Sequence, residues 1–234
     1  MSVTRTKANT GSACWNCGAD AAGANFCPAC DKIQPLPRGT SYFAFFGLPE
    51  KLRLDAEDLE QRLHQLSWKL HPDNFVRASE YERELSLERS SELNDAFRTL
   101  RDPIRRVEYL LRRAGLRKDG QSQQQAPPEL LEEVFELNDA LDELRMARAA
   151  GGDGEAMSSL RRELEAAEKS FEVKLREVDA ELDAAFAAWD AALDAGAREA
   201  ERTTLMNRMN EILNRRAYIR NLVESVQKEL AEAS

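Results

Sequence analysis

At 234 residues, with 42 acidic against 33 basic side chains and a net charge of −9, the chain has room for one or two domains and is too acidic for nucleic acid to be the expected partner. Nearly a third of its residues are charged and 7% are aromatic, with Ala, Leu, Glu and Arg abundant, so the expected class is all-α. No apolar run approaches the roughly 20 residues that cross a bilayer, and Met1 to Ala13 lacks an apolar signal core, so the expected compartment is the cytoplasm, with no membrane partner expected.

All four cysteines lie near the start, as Cys14-Trp15-Asn16-Cys17 and Cys27-Pro28-Ala29-Cys30, two C-x2-C knuckles with nine residues between them. This is the spacing of a four-thiolate metal site, and structural zinc is the expected cofactor. A segment this short cannot bury enough apolar surface to fold alone, so the metal would supply its folding free energy. Two disulfides, a redox C-x-x-C pair and an iron–sulfur cluster are the rival readings. A reducing cytoplasm disfavours the disulfides, and no strand–helix frame supports the redox motif. Only Lys32 and Arg38 lie close by, so the module reads as one for docking or stability, with a zinc-dependent adaptor or nucleic-acid binder as the alternative.

Pro35, Pro37 and Gly39 form a joint before Ser41 to Pro49, an aromatic cluster long enough for one or two helical turns. Asp55 is a predicted N-cap, with Asp58 three residues on in a capping-box position. Leu59, Leu63, Leu66 and Leu70 then recur at helical spacing, leaving Arg62, Gln65 and Lys69 on another face. Pro72 ends this helix and leaves His71 and Asp73 on a loop, with Phe75 packing inward. Leu93, Ala96, Phe97 and Leu100 form a second stripe that packs antiparallel on the first and puts the loop at the tip of a helical hairpin. Asp102-Pro103 starts another helix, with Ile104, Val107, Leu110, Leu111 and Ala114 as its apolar face and Gly115 as its stop.

At these residues the chain resembles a known family. The aromatic opening, the striped helix running into His71-Pro72-Asp73, and Leu93-Asn94-Asp95-Ala96-Phe97 resemble a J domain, the module that docks on Hsp70-type ATPase chaperones. Asn94 to Phe97 followed by Pro103 and Tyr109-Leu110-Leu111 resembles, more narrowly, the HscB family of iron–sulfur co-chaperones, and the cysteine pair resembles its zinc-binding version.

The Gln-, Ser- and Pro-rich stretch up to Pro128 reads as a linker, and a helical bundle follows. Leu130, Val134, Leu137, Leu141 and Leu144 form the inward stripe of its first helix. Leu131 and Phe135 point away from that stripe, beside Glu132, Glu136, Asp139 and Glu143. Such a face is either a partner surface or a widened core face. After Ala150 to Gly154, a long stripe runs from Met157 to Leu193, and a last one from Leu205 to Leu230. Three long amphipathic helices fold most simply as an antiparallel bundle, in a monomer or weak dimer, with a coiled-coil dimer as the rival. The expected organisation is a metal module at 1–37, a J domain at 38–116, a linker at 117–127 and a bundle at 128–234.

Enzymatic readings lack materials. His64 and His71 are the only histidines, no Ser or Cys nucleophile has a visible base, and no glycine-rich phosphate loop occurs. The resemblance implies a binding function instead. His71, Pro72 and Asp73, with Arg62 and Lys69, would engage an HscA- or DnaK-like ATPase chaperone and stimulate its ATP hydrolysis. Leu131, Phe135, Glu136, Asp139 and Glu143, with Tyr218 on the last helix, would hold an IscU-like iron–sulfur scaffold protein. A general J-domain protein for unfolded clients would share the turn but need an apolar groove.

Overall fold

The computed structural model describes residues 13–21, 23–118, 127–151 and 154–232, so most of the expected linker, 119–126, lies outside the described residues. Helices dominate, and the two β-bridges, Ala13 with Asp20 and Phe26 with Ile33, are isolated ones at the knuckles. No helix among the described residues is long and apolar enough to cross a membrane. The chain divides into two compact units, Met1–Leu110 and Leu111–Ser234.

The first unit holds α1 (Tyr42–Phe46), α2 (Ala56–Leu70), α3 (Glu80–Arg101) and most of α4 (Pro103–Arg113). Phe43, Phe45 and Phe46 of α1 are buried against Leu59 and Leu70 of α2 and Leu93, Ala96 and Leu100 of α3, so the aromatic opening closes the core of the α2–α3 hairpin. Leu63 and Leu66 are only half-buried, because α2 is covered on one side. Ile33, from the end of the cysteine segment, is fully buried in the same cluster. Gly47 ends α1 in the left-handed region, at φ 65°, which a residue without Cβ adopts at no steric cost.

The caps differ from expectation in one place. Asp55 accepts from both Glu57 N and Asp58 N, while the Asp58 carboxylate turns outward to Arg62 Nε at 2.8 Å, so no capping box forms there. The box lies at the start of α3, between Ser79 and Glu82. Asp102 caps α4 through the Ile104 and Arg105 amides, as its position before Pro103 implies. Ala114 is exposed rather than part of the apolar face, since the helix ends at Arg113 and Gly115 turns the chain with φ 72°.

A residue with no sequence signal ties this unit together. Arg106, 5% exposed, donates Nε to the Leu100 carbonyl at 2.6 Å, and its Nη1 donates to the Leu52 carbonyl. Arg106→Met would remove these charged donors from the core, and hydrogen bonds from a charged donor contribute about 1.5–3 kcal/mol each. A loss of about 2–4 kcal/mol is therefore expected, read as a lower urea midpoint; an unchanged midpoint would show the guanidinium to be dispensable.

In the second unit, a short 3-10 turn at Pro128–Leu130 leads into α5 (Leu131–Ala149), followed by α6 (Glu155–Asp194) and α7 (Glu199–Glu232). At 40 residues α6 is about 60 Å long. The inward stripe, Leu130 at the end of the turn and Val134, Leu137, Leu141 and Leu144 of α5, is buried throughout. It packs on α6, which packs along α7, and Leu164, Phe171, Phe186 and Trp189 of α6 and Met209, Ile212, Ile219 and Val226 of α7 are all buried. Arg145 of α5 donates to Glu229 of α7 at 2.7 Å, and Arg216 of α7 to Asp179 of α6 at 2.5 Å. The hydrogen bonds from Arg145 hold the Glu229 carboxyl below its usual range, against the effect of burial.

Candidate functional site

The two knuckles bring their thiols together. Cys14 Sγ and Cys30 Sγ are 3.6 Å apart, Cys17 Sγ and Cys27 Sγ 3.7 Å, and all four lie within 4.8 Å of one another. Sulfurs at the corners of a tetrahedron, each about 2.3 Å from a central zinc, would be about 3.8 Å apart. The set therefore fits one four-coordinate ion. Disulfides, with sulfurs about 2.05 Å apart, are not present, and all four cysteines are free. An iron–sulfur cluster would share the four thiolates among two or four irons and so spread the sulfurs further than around a single ion.

The surroundings favour thiolates. Asn16 N and Ala29 N point at Cys14 Sγ and Cys27 Sγ, each at 3.4 Å, and the Gln34 amide donates to Cys14 Sγ at 3.3 Å. Gln34 is 3% exposed and also accepts from Trp15 N, a role that its sequence context did not suggest. Burial alone would raise the Cys14 pKa, but the backbone amides of Cys17 and Asn16 and the thiols of Cys27 and Cys30 outweigh it and bring it to about 6. Cys17 goes the other way. Although the Ala19 amide favours its thiolate, the Cys30 thiol, burial, and the thiols of Cys14 and Cys27 push it up to about 12. One thiol ionises readily and a neighbour resists, as expected where negative charge would accumulate in a small volume. A divalent cation removes that conflict and releases protons on binding, so metal affinity falls with falling pH.

The His71-Pro72-Asp73 segment sits at the end of α2. It is not an irregular loop, since Pro72–Phe75 forms one 3-10 turn with Pro72 at its first position and Phe75 buried beneath it. His71 and Asp73 side chains are 55% and 85% exposed. His71 Nδ1 accepts from Asp73 N at 3.3 Å and lies 3.5 Å from Asp73 Oδ2. Both side chains are thus open to solvent at the end of the hairpin.

Three side chains that sequence reasoning passed over fix this corner. Ser86 Oγ and Ser90 Oγ of α3 both donate to the Leu70 carbonyl, at 2.6 and 3.1 Å, and Asn74 Nδ2 donates to the Trp68 carbonyl at 2.6 Å. They satisfy carbonyls left open at the end of α2 and tie it to α3. A serine every four residues on the α3 stripe was the available signal.

The two basic residues expected beside the turn behave differently. Lys69 is exposed. Arg62 is engaged internally, with Nε on Asp58 and Nη1 reaching the carbonyls of Phe46 at 3.2 Å and Gly47 at 3.4 Å. Trp68, one residue before Lys69, is 79% exposed.

On α5, Leu131 is 44% and Phe135 68% exposed, and Glu132, Glu136, Asp139 and Glu143 are exposed with them. At about 100° per residue these positions share one face, opposite the buried stripe. Met146, 72% exposed, falls on the same face three turns beyond Phe135 and was missed because it lies beyond the acidic band. Tyr218 is half-buried on α7, next to the fully buried Ile219.

No protein-family model matches the chain. It is similar to curated co-chaperones. It is 39% identical over 104 residues to a co-chaperone protein HscB homologue of Vibrio vulnificus, covering 44% of this chain and 61% of that one. Over 134 residues it is 36% identical to an iron-sulfur cluster co-chaperone protein HscB homologue of Arabidopsis thaliana, covering 57% of this chain and 52% of that one. The matches thus span about half to three fifths of these relatives' length. Among solved structures, it resembles the human co-chaperone protein HscB with a TM-score of 0.61 at 25% identity, covering 93% of this chain and 98% of that one. Chaperone HscB from Vibrio cholerae follows at 0.52 and 25%, covering 83% and 100%.

Proposed function

We propose that the chain is an HscB-type co-chaperone, which stimulates the ATPase of an Hsp70-type chaperone and delivers to it the scaffold protein on which iron–sulfur clusters are assembled. The observation that carries this reading is the exposed His71-Pro72-Asp73 corner, locked by Pro72 and clamped to α3, in a chain similar to HscB proteins over both units. Such a corner has no chemistry of its own. It acts by binding the hydrolysis-competent state of the chaperone more tightly than the resting one, and its effect on rate is limited by that difference in affinity. His71, Pro72 and Asp73 make the contact. Lys69, open to solvent, carries most of the attraction to an acidic chaperone surface, while Arg62, held by α1 carbonyls and Asp58, contributes less.

The client surface is the outer face of α5. Leu131 and Phe135 supply apolar anchors, and Glu136, Asp139 and Glu143 supply an acidic rim that steers a basic partner. Tyr218 is at most a peripheral contact. Cys14, Cys17, Cys27 and Cys30 hold zinc as a structural ion, whose chemistry is to cross-link the two knuckles. The protein works in the cytoplasm.

The test separates the two surfaces. Leu131→Ala with Phe135→Ala is expected to weaken scaffold binding by about tenfold or more, since central hot-spot side chains cost about 2 kcal/mol or more when truncated. Stimulation of the chaperone ATPase without scaffold should be unchanged, because α5 lies in the other unit. Calorimetry with the purified scaffold and an ATPase assay measure both. Equal scaffold affinity would remove the α5 face as the client site.

A further inference from the structure

We propose that the metal module braces the His71-Pro72-Asp73 turn, with Lys32 as the positioning residue that transmits the brace; this rests on the co-chaperone reading above. The first three turns of α3 touch both ends of the functional corner. At its entry, the buried Leu70 carbonyl takes hydrogen bonds from Ser86 and Ser90. At its exit, Ser79 caps α3 in a reciprocal box: Glu82 N donates to Ser79 Oγ at 3.3 Å, while Ser79 N and Oγ donate to Glu82 Oε2 at 3.2 and 2.9 Å. Only three residues separate Ser79 from Phe75, the last residue of the turn.

The metal module holds this same stretch from its other side. Lys32, two residues after Cys30, donates Nζ to Glu82 Oε1 at 2.8 Å. The Glu82 side chain is 7% exposed, so one oxygen closes the cap and the other is occupied by the module. Trp15, between Cys14 and Cys17, sets its ring edge-on to Tyr81 with centroids 5.0 Å apart, and its Nε1 donates to the Ile33 carbonyl at 2.6 Å. Ile33 is fully buried in the cluster that also contains Phe75 and Leu85. Thiolates, Lys32, Glu82, Ser79 and the turn form a continuous physical chain, every link of it inside one compact unit.

The consequence follows from the cost of a buried, unpaired charge. A carboxylate with its cation removed seeks water, and Glu82 can reach it only by leaving the cap and fraying the first turn of α3. The exit of the corner then loosens, and a smaller fraction of molecules presents it in the binding-competent form. Apparent affinity falls in proportion to that fraction, whereas the fully bound complex is unchanged. A brace therefore alters the concentration needed for stimulation and leaves the maximum stimulation alone. A contact residue would change the maximum as well.

Lys32→Met in the full chain tests this. Metal content should remain one ion per four thiols. Amide exchange from Glu82 to Leu85 should accelerate about tenfold or more as the first turn opens. The concentration of co-chaperone giving half-maximal ATPase stimulation should rise about threefold or more at an unchanged plateau, and Lys32→Arg, which keeps the cation, should restore both readouts. Unchanged exchange across Glu82 to Leu85, or a Lys32→Arg chain as impaired as Lys32→Met, would overturn the proposal. The exchange measurement needs no chaperone, so it decides the brace even if the chain failed to stimulate an ATPase at all, which would sink the functional reading instead.

Discussion

Replacing Asp73 with Asn is expected to reduce stimulation of an Hsp70-type ATPase to the chaperone's basal rate while leaving the fold untouched. The side chain is 85% exposed and its own backbone amide, which reaches His71 Nδ1, is not altered by the change. The substitution keeps size and shape and removes only the negative charge. Exposed substitutions of this kind change stability by no more than about 0.5 kcal/mol, so the melting temperature should stay where it is. On docking, the same carboxylate would become desolvated against cationic or N–H donors, where losing one partner of a hydrogen-bonded charge pair costs about 2–5 kcal/mol. Every 1.4 kcal/mol is a factor of about ten, so the affinity for the active state should fall at least about thirtyfold. A steady-state ATPase assay with the full chain reads this directly. Stimulation equal to that of the unmodified chain would refute the assignment of the corner as the chaperone contact.

The second large effect belongs to the cysteines. Cys27 is 2% exposed, and its sulfur faces Cys17 Sγ at 3.7 Å. Cys27→Ser leaves three thiolates, and the knuckle segment has only a small apolar cluster of its own, around Cys14, Ala21 and Cys27. Binding free energies of structural zinc sites are on the order of 10 kcal/mol or more, far beyond what so small a cluster supplies. The variant should bind no stoichiometric zinc by elemental analysis, and amide protection across residues 13–34 should collapse. The helices of the second unit, a separate compact unit, should keep their exchange protection. Persistent protection of residues 13–34 without metal would show that the knuckles fold without an ion. A strong chelator applied to the unmodified chain should reproduce the result and should act faster at lower pH, where protons compete for the thiolates.

Much of the fold was legible because its signals are local. The leucine stripes of α2 and α5, the Pro72 break and the Asp102-Pro103 start each depend on residues within one or two turns of one another. So does the exposure of Leu131 and Phe135, which follows from helical phase once Leu130 to Leu144 are assigned to the core. The capping box was misplaced to Asp58 because a sequence offers several acid pairs at the right spacing, and which one closes depends on where the carboxylate finds its other partner. At Asp58 that partner is Arg62, and at Glu82 it is Lys32, fifty residues away in the chain.

By itself, then, the sequence determined the helical class, the four-thiolate module and the position of the exposed corner. Periodicity and proline act through neighbouring backbone, and C-x2-C spacing through the bite of a single ion. Only the tertiary structure decided which polar groups pair across the first unit. Ser86 and Ser90 on the Leu70 carbonyl, Arg106 on the Leu52 carbonyl and Lys32 on Glu82 join residues 16 to 54 positions apart. Polar contacts over such separations leave no periodic trace. They exist because packing carries an unsatisfied carbonyl or carboxylate out of water and a donor must meet it there.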